Sequence, residues 1–269
     1  MPFMTISPSQ ELYYVLRTPQ NAASSGLTFL FVHGLGSSSS FYATVMPALV
    51  EAGHRCLAFD MNGSSLTKYS GKDNSIKDHA DDAIALLRAL NISPSKVVAV
   101  GHSMGGLVAG TLATELDLAG AVLIGAVTPS DAITTAFSQR IAAVEKNGME
   151  PMADSIPTGA TGSNSTPTHH AFIRALLLSQ TSQGYIGLCR AIATAKPVEY
   201  GKARCPALII AGAEDKVVPI AGLEKIKDSW GADAFRVSLE TLEGVGHWHC
   251  IEAGDKIGPI LVDFGEHLI

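Results

Sequence analysis

One serine stands in unusual company. In Val97-Val-Ala-Val-Gly-His-Ser-Met-Gly-Gly-Leu-Val-Ala-Gly110, Ser103 lies between a β-branched run and an Ala/Leu/Val run, with Gly101, Gly105 and Gly106 around it. A chain that passes from strand to helix through a single residue forces that residue into a strained conformation. Small neighbours two positions to either side then keep the backbone from colliding. G-x-S-x-G supplies them and lifts a serine hydroxyl to a helix N-terminus, where a nucleophile is exposed. A phosphate loop is the rival reading, but Gly-x-x-x-Gly-Gly is neither G-x-G-x-x-G nor a run ending in Gly-Lys-Ser/Thr. The plainer alternative is a glycine-rich turn whose serine caps the next helix. A clear strand before Ser103 and a clear helix after it favour the nucleophile.

A serine hydroxyl attacks well only when a base takes its proton and an acid fixes the tautomer of that base. Downstream, Leu208-Ile-Ile-Ala-Gly-Ala-Glu-Asp215 is a strand-like run ending in a turn, and Gly244-Val-Gly-His-Trp-His249 follows another. Alone, Asp215 reads as a helix cap and His247 as a surface histidine. Together, in the order Ser, Asp, His and each after a strand, they read as acid and base. Asp131 is a second acid to weigh, but Ser130-Asp131 opening a helical stripe is explained as an N-terminal cap. His249 shares the direction of His247 in an extended segment. Gly244 and Gly246 lead up to His247 and favour it as the base, with His249 packing or capping near the final helix.

An oxyanion hole needs two N–H donors near Ser103. His33-Gly-Leu-Gly36 follows an early strand and can aim the Leu35 N–H at the point served by Met104 N–H. His33 reads as a residue that fixes this loop. Gly34, His102 and Trp248 are the candidate substrate-binding residues, although His102 inside the turn also reads as packing against neighbouring loops. His247-Trp-His249 has the spacing of a zinc pair on a strand, but the sequence offers no third ligand, so neither a metal nor a cofactor is expected.

Elements of alternating type must hold these residues. Leu27–Val32, His54–Asp60, Lys96–Val100 and Leu118–Val127 are short apolar runs that suit strands buried on both faces. Phe41–Ala52 and Ser75–Asn91 read as helices between them, and Ser75-Ile-Lys-Asp78 resembles a capping box. The alternation stops at Thr128. Helices are predicted from Ala132 to a C-terminal signal at Asn147-Gly148, and from Thr166-Pro167 to about Gln180. Pro157–Thr166, small and polar, reads as a mobile loop. Strand-like sequence resumes at Pro206–Ile210 and at Phe235–Leu242, before a last helix.

The balance of 46% apolar to 16% charged residues in 269 is that of a packed globular chain. A formal net charge of -6 with no basic patch argues against nucleic acid. No apolar run is long enough for a membrane helix, and the first residues do not read as a signal peptide. Cys56, Cys189, Cys205 and Cys250 show no paired spacing and read as buried thiols, which fits a cytoplasmic protein. Nothing fixes an oligomeric state.

Taken together, these residues resemble the α/β-hydrolase superfamily over nearly the whole chain. The resemblance implies a mostly parallel eight-stranded sheet flanked by helices, with a core of residues 1–127 and 204–269 and a helical cap of 128–203 inserted after strand six. Asp60-Met-Asn-Gly63 is similar to the family's D-x-x-G turn, departing from the usual continuation at Ser65 and Thr67. Within the superfamily the chain resembles 3-oxoadipate enol-lactonases and fungal esterases. That resemblance implies a cation for a substrate carboxylate, with Arg174 and Arg190 as candidates. The expected activity is hydrolysis of a small carboxylic ester or lactone. The same scaffold also serves lactone-forming cyclases and ligand receptors. An opening Pro157–Thr166 loop that admits water favours hydrolysis.

Overall fold

The computed structural model describes residues 2–20, 26–233 and 236–269. Eight strands form one sheet: β1 (Phe3–Ser7), β2 (Gln10–Arg17), β3 (Thr28–Val32), β4 (Arg55–Phe59), β5 (Val97–His102), β6 (Gly120–Ile124), β7 (Ala207–Gly212) and β8 (Val237–Leu242). Their spatial order is β1-β2-β4-β3-β5-β6-β7-β8. From β4 across to β8 every neighbouring pair is parallel, while β1 and β2 add an antiparallel edge. Every residue of β3, β5, β6 and β7 is buried, as continuous apolar runs require when helices cover both faces.

The covering helices are α1 (Met46–Glu51), α2 (Ile76–Ala89), α3 (Met104–Glu115), α8 (Ile220–Ser229), α9 (His249–Glu252) and α10 (Gly254–Glu266). The capping box at Ser75 and Asp78 forms at the start of α2. The expected helix over Phe41–Ala52 is instead a 3-10 turn at Ser39–Tyr42 followed by α1, because Pro47 fits only a helix's first turn. The Leu118–Val127 run yields the shorter β6, which ends where Gly125 takes a positive φ of 49°. Phe235, the expected start of the last strand, lies outside the described residues.

Between β6 and β7 the chain is helical: α4 (Asp131–Asn147), α5 (Glu150–Gly159), α6 (Pro167–Leu178) and α7 (Ser182–Ala193). α4 packs on α7 and α5 on α6. Ser130 caps α4, Gly148 ends it with φ 73°, and Thr166-Pro167 starts α6, as the sequence indicates. One expectation is overturned. Pro157 lies inside α5, and the segment after it is bound down rather than free. Gly162 N–H donates to Glu252, Ser163 N–H and hydroxyl to Glu214, and Asn164 to the Glu243 and Gly244 carbonyls. The small residues are there to let two backbones touch. A Cβ on Gly162 would stand 2.5 Å from the Gly244 oxygen.

Candidate active site

Parallel strands deliver their C-terminal ends to one edge, and the singled-out residues gather there. Ser103 joins β5 to α3 with φ 54° and ψ -117°, a conformation that costs a non-glycine residue roughly 1–3 kcal/mol. The flanking glycines follow from contact distances. A Cβ on Gly101 would lie 2.0 Å from the Gly105 oxygen, and one on Gly105 would lie 2.1 Å from the Val32 oxygen. α3 can therefore cross β3 and β5 only on glycine.

Asp215 sits in the turn after β7, its side chain almost fully buried. Its Oδ1 accepts from the Val217 and Val218 N–H groups at 2.7 and 3.0 Å, and Oδ2 faces His247 Nδ1 at 2.8 Å. Burial would raise the Asp215 carboxyl. The hydrogen bond and charge of His247, with His249 and the Val218 amide, outweigh burial and hold it below the ordinary carboxylate value. His247 follows β8, and its Nε2 lies 2.9 Å from Ser103 Oγ. With Nδ1–H donating to the carboxylate, Nε2 is left as the acceptor of the serine proton.

His249 is fully buried, and burial first, then the neighbouring His247, lowers it to about 4. Its Nδ1–H donates to the His247 carbonyl at 2.9 Å, while Nε2 stands 3.9 Å from Asp215 Oδ2. His102 donates to the same carbonyl from Nε2 at 2.7 Å and stacks on Phe41, ring centroids 4.3 Å apart. The three imidazoles lie close enough to suggest a metal cluster. His102 is thus the third imidazole that the sequence did not offer beside His247 and His249. His102 and His249 each direct a nitrogen at the His247 carbonyl, and both His247 nitrogens are engaged with Asp215 and Ser103. Asp131 is exposed at the start of α4, behind its Ser130 cap.

The loop His33–Gly36 runs against the serine. A Cβ on Gly34 would be 3.0 Å from Ser103 Cβ and 2.8 Å from His102 Nδ1. His33 Nδ1–H donates to the Gly34 carbonyl and Nε2 accepts from Met61 N–H, which fixes the loop as expected. The Leu35 N–H meets no protein acceptor among the described residues. Met104 is the first helical residue, so its N–H has no partner a turn back.

The candidate substrate-contact residues differ in placement. His102 and Trp248 are buried in an aromatic cluster on Phe41, and of the candidates Gly34 is the one laid against the serine side chain. Arg174 and Arg190 are about half exposed and pair with Asp154 and with Asp73 and Glu145, so surface acids already occupy both cations. The sequence did not single out Tyr185 on α7. Its ring and Leu177 press on Gly36, and its buried hydroxyl, raised to about 12 by burial, has Arg140 beside it. Position in a helix of mixed residues carried no signal for that contact.

A mostly parallel sheet with a strained serine at the β5–α3 junction, hydrogen-bonded to a histidine that is itself bonded to an aspartate, both from later strand ends, defines the class of α/β enzymes built on a nucleophile elbow. The chain belongs to the alpha/beta hydrolase family, whose model matches residues 29–257. RutD of Variovorax paradoxus, named for carbamate hydrolysis, is 26% identical over 94% of this chain and 95% of its own. A non-heme chloroperoxidase of Burkholderia pyrrocinia is 27% identical over 98% of this chain and 99% of its own. In fold, the enol-lactonase of Burkholderia xenovorans superposes with a TM-score of 0.86 at 21% identity, covering 98% of this chain and 99% of that one.

Proposed function

We propose that the protein hydrolyses a small carboxylic ester or lactone, with Ser103 as nucleophile, His247 as base and Asp215 as the acid that orients it. The observation that carries this reading is the unbroken chain from Ser103 Oγ to His247 Nε2 at 2.9 Å and from His247 Nδ1 to Asp215 at 2.8 Å. Ser103 Oγ attacks the carbonyl as its proton passes to His247 Nε2. The carbonyl electron pair moves to oxygen, where the Leu35 and Met104 N–H groups receive the negative charge. Collapse expels the alkoxy group, which takes the proton from His247 and leaves an acyl group on Ser103. Water then gives a proton to His247 and attacks the acyl carbon. The second tetrahedral species releases the acid and returns the proton to Ser103.

Segment 128–203 is read as a cap over this edge. Relatives named for carbamate hydrolysis and for chloroperoxidase widen the panel worth testing. Turnover of p-nitrophenyl esters, lactones and aryl carbamates by wild type and Ser103→Ala is the direct experiment. The variant is expected to lose about 10⁴-fold or more in rate while melting like the parent. Survival of most of the activity would move the nucleophile elsewhere.

A second reading keeps the acyl-enzyme and changes its fate. Ser103 and His247 are only 5% and 8% exposed, and the 160–166 segment is bonded down beside them. A closed site favours transfer of the acyl group to a hydroxyl of the substrate itself, giving a lactone. Reaction in ¹⁸O-water separates the two. Hydrolysis puts one labelled oxygen in the product acid, whereas an unlabelled lactone would establish cyclisation.

A further inference from the structure

Glu252, the last residue of α9, carries a buried carboxylate whose hydrogen-bond partners among the described residues are all backbone amides. Oε2 accepts from Gly162 N–H at 2.7 Å and Gly246 N–H at 3.0 Å, and Oε1 accepts from Trp248 N–H at 2.9 Å. A buried charge is costly unless its oxygens are hydrogen-bonded, and bonds of this kind to amides are strong. The donors are not a random set. Gly246 and Trp248 stand on either side of His247, so one carboxylate fixes the His247–Trp248 peptide plane directly and the Val245–Gly246 plane one residue ahead of it. Gly162 lies between α5 and α6, so the third bond carries the same carboxylate across to the segment inserted between β6 and β7.

The rest of the His247 backbone is held in the same way. Its N–H donates to the Ala160 carbonyl at 2.8 Å, and its carbonyl accepts from His102 and His249. The two segments touch through glycine: a Cβ on Gly246 would stand 2.5 Å from Gly162 N. His247 therefore has no bonded backbone group that is free to wander. Two of these bonds, Gly162 N–H to Glu252 and His247 N–H to Ala160, exist only while the 160–166 segment is seated.

We propose that Glu252 is a positioning residue for His247, aiming the imidazole at Ser103 and coupling that aim to the seating of the 160–166 segment. The proposal rests on the reading of His247 as the base. Glutamine would match the shape of Glu252 but offers one oxygen, and its amide group would turn N–H toward the N–H of Trp248 or of the Gly162–Gly246 pair. A small misplacement of a base costs rate out of proportion to its size, and the loss falls on kcat because a base takes its proton only as the bond to the substrate forms.

The test compares wild type, Glu252→Gln and Gly162→Ala as purified full-length protein. Readouts are kcat and KM for p-nitrophenyl acetate, thermal melting, and the downfield proton resonance of His247 Nδ1–H in its bond to Asp215. That resonance is assigned by its loss in His247→Gln. Folded Glu252→Gln is expected to lose about fivefold or more in kcat with KM little changed, and to lose or broaden the resonance. Gly162→Ala leaves the carboxylate and all three site side chains in place. It forces the segment off Gly244 and Gly246, and is expected to shift both readouts in the same direction. A folded Glu252→Gln with a smaller loss in kcat overturns the proposal. If that variant does not fold, the same criterion passes to Gly162→Ala. If neither folds, Glu252 is a structural staple and the proposal is wrong. Should wild type turn over no ester at all, the functional reading fails separately, and the resonance alone decides the positioning role.

Discussion

At the scale of single residues, the geometry separates pairs that sequence direction alone could not. Asp215 lies against His247, whereas Asp131 is exposed at a helix start. Asp215→Asn is expected to cut kcat by about 10⁴-fold, because the amide favours the wrong tautomer of His247. Asp131→Asn should stay near the parent, and steady-state kinetics on one activated ester check both. His247 and His249 divide in the same way. His247→Ala removes the only imidazole whose nitrogen faces Ser103 Oγ among the described residues, and full loss is expected. His249→Ala removes one of two donors to the His247 carbonyl, so a partial loss is expected; complete loss there with activity kept in His247→Ala would reverse the roles. Ser103, Asp215 and His247 were legible because each sits after a strand in a fixed order. Glu252 was not, because its role depends on three amides distant in sequence or hidden in a loop.

At the scale of elements, the elbow was readable because glycine spacing records a backbone approach. Gly105→Ala would place a methyl 2.1 Å from the Val32 oxygen, and neither β3 nor α3 can move without disrupting the sheet. A loss of more than about 3 kcal/mol, or failure to fold, is expected by denaturant unfolding. Near-parental stability would mean that the crossing is looser than the distances require. The 160–166 segment shows the opposite case. Its small polar residues resemble a mobile loop, yet the same composition serves a tight backbone seam against Gly244–Gly246. Composition does not distinguish a free loop from a docked one, since both need small side chains. The β1–β2 edge was likewise missed, because an edge strand is only partly buried and lacks a continuous apolar run.

At the scale of the whole molecule, buried neutral histidines should set the acid limit of stability. His79 on α2 and His249 are lowered from 6.5 to about 4, in each case mainly by burial, and His79 has no hydrogen-bond partner on either nitrogen among the described residues. Between pH 6.5 and 4 the unfolded chain binds protons that the folded chain refuses, so stability is full above pH 6.5 and falls as pH drops through this window. Melting temperature should decline steadily across it. His79→Leu should flatten the decline by about one proton's share, with no loss at neutral pH. A melting temperature level across that window would contradict the assignment. The alternation of strand and helix was legible over most of the core because burial on both faces leaves an unbroken apolar run. The helical segment between β6 and β7 was legible as helices, but not in what its inner residues touch.

Covalent labelling with a fluorophosphonate asks whether Ser103 is a nucleophile activated by His247. Intact mass followed by peptide mapping should find one adduct per chain, on Ser103. The adduct should be absent in Ser103→Ala, and its formation should slow by about a hundredfold or more in His247→Ala. A folded wild type that takes no label, or takes it at another residue, would mean that Ser103 is not the nucleophile.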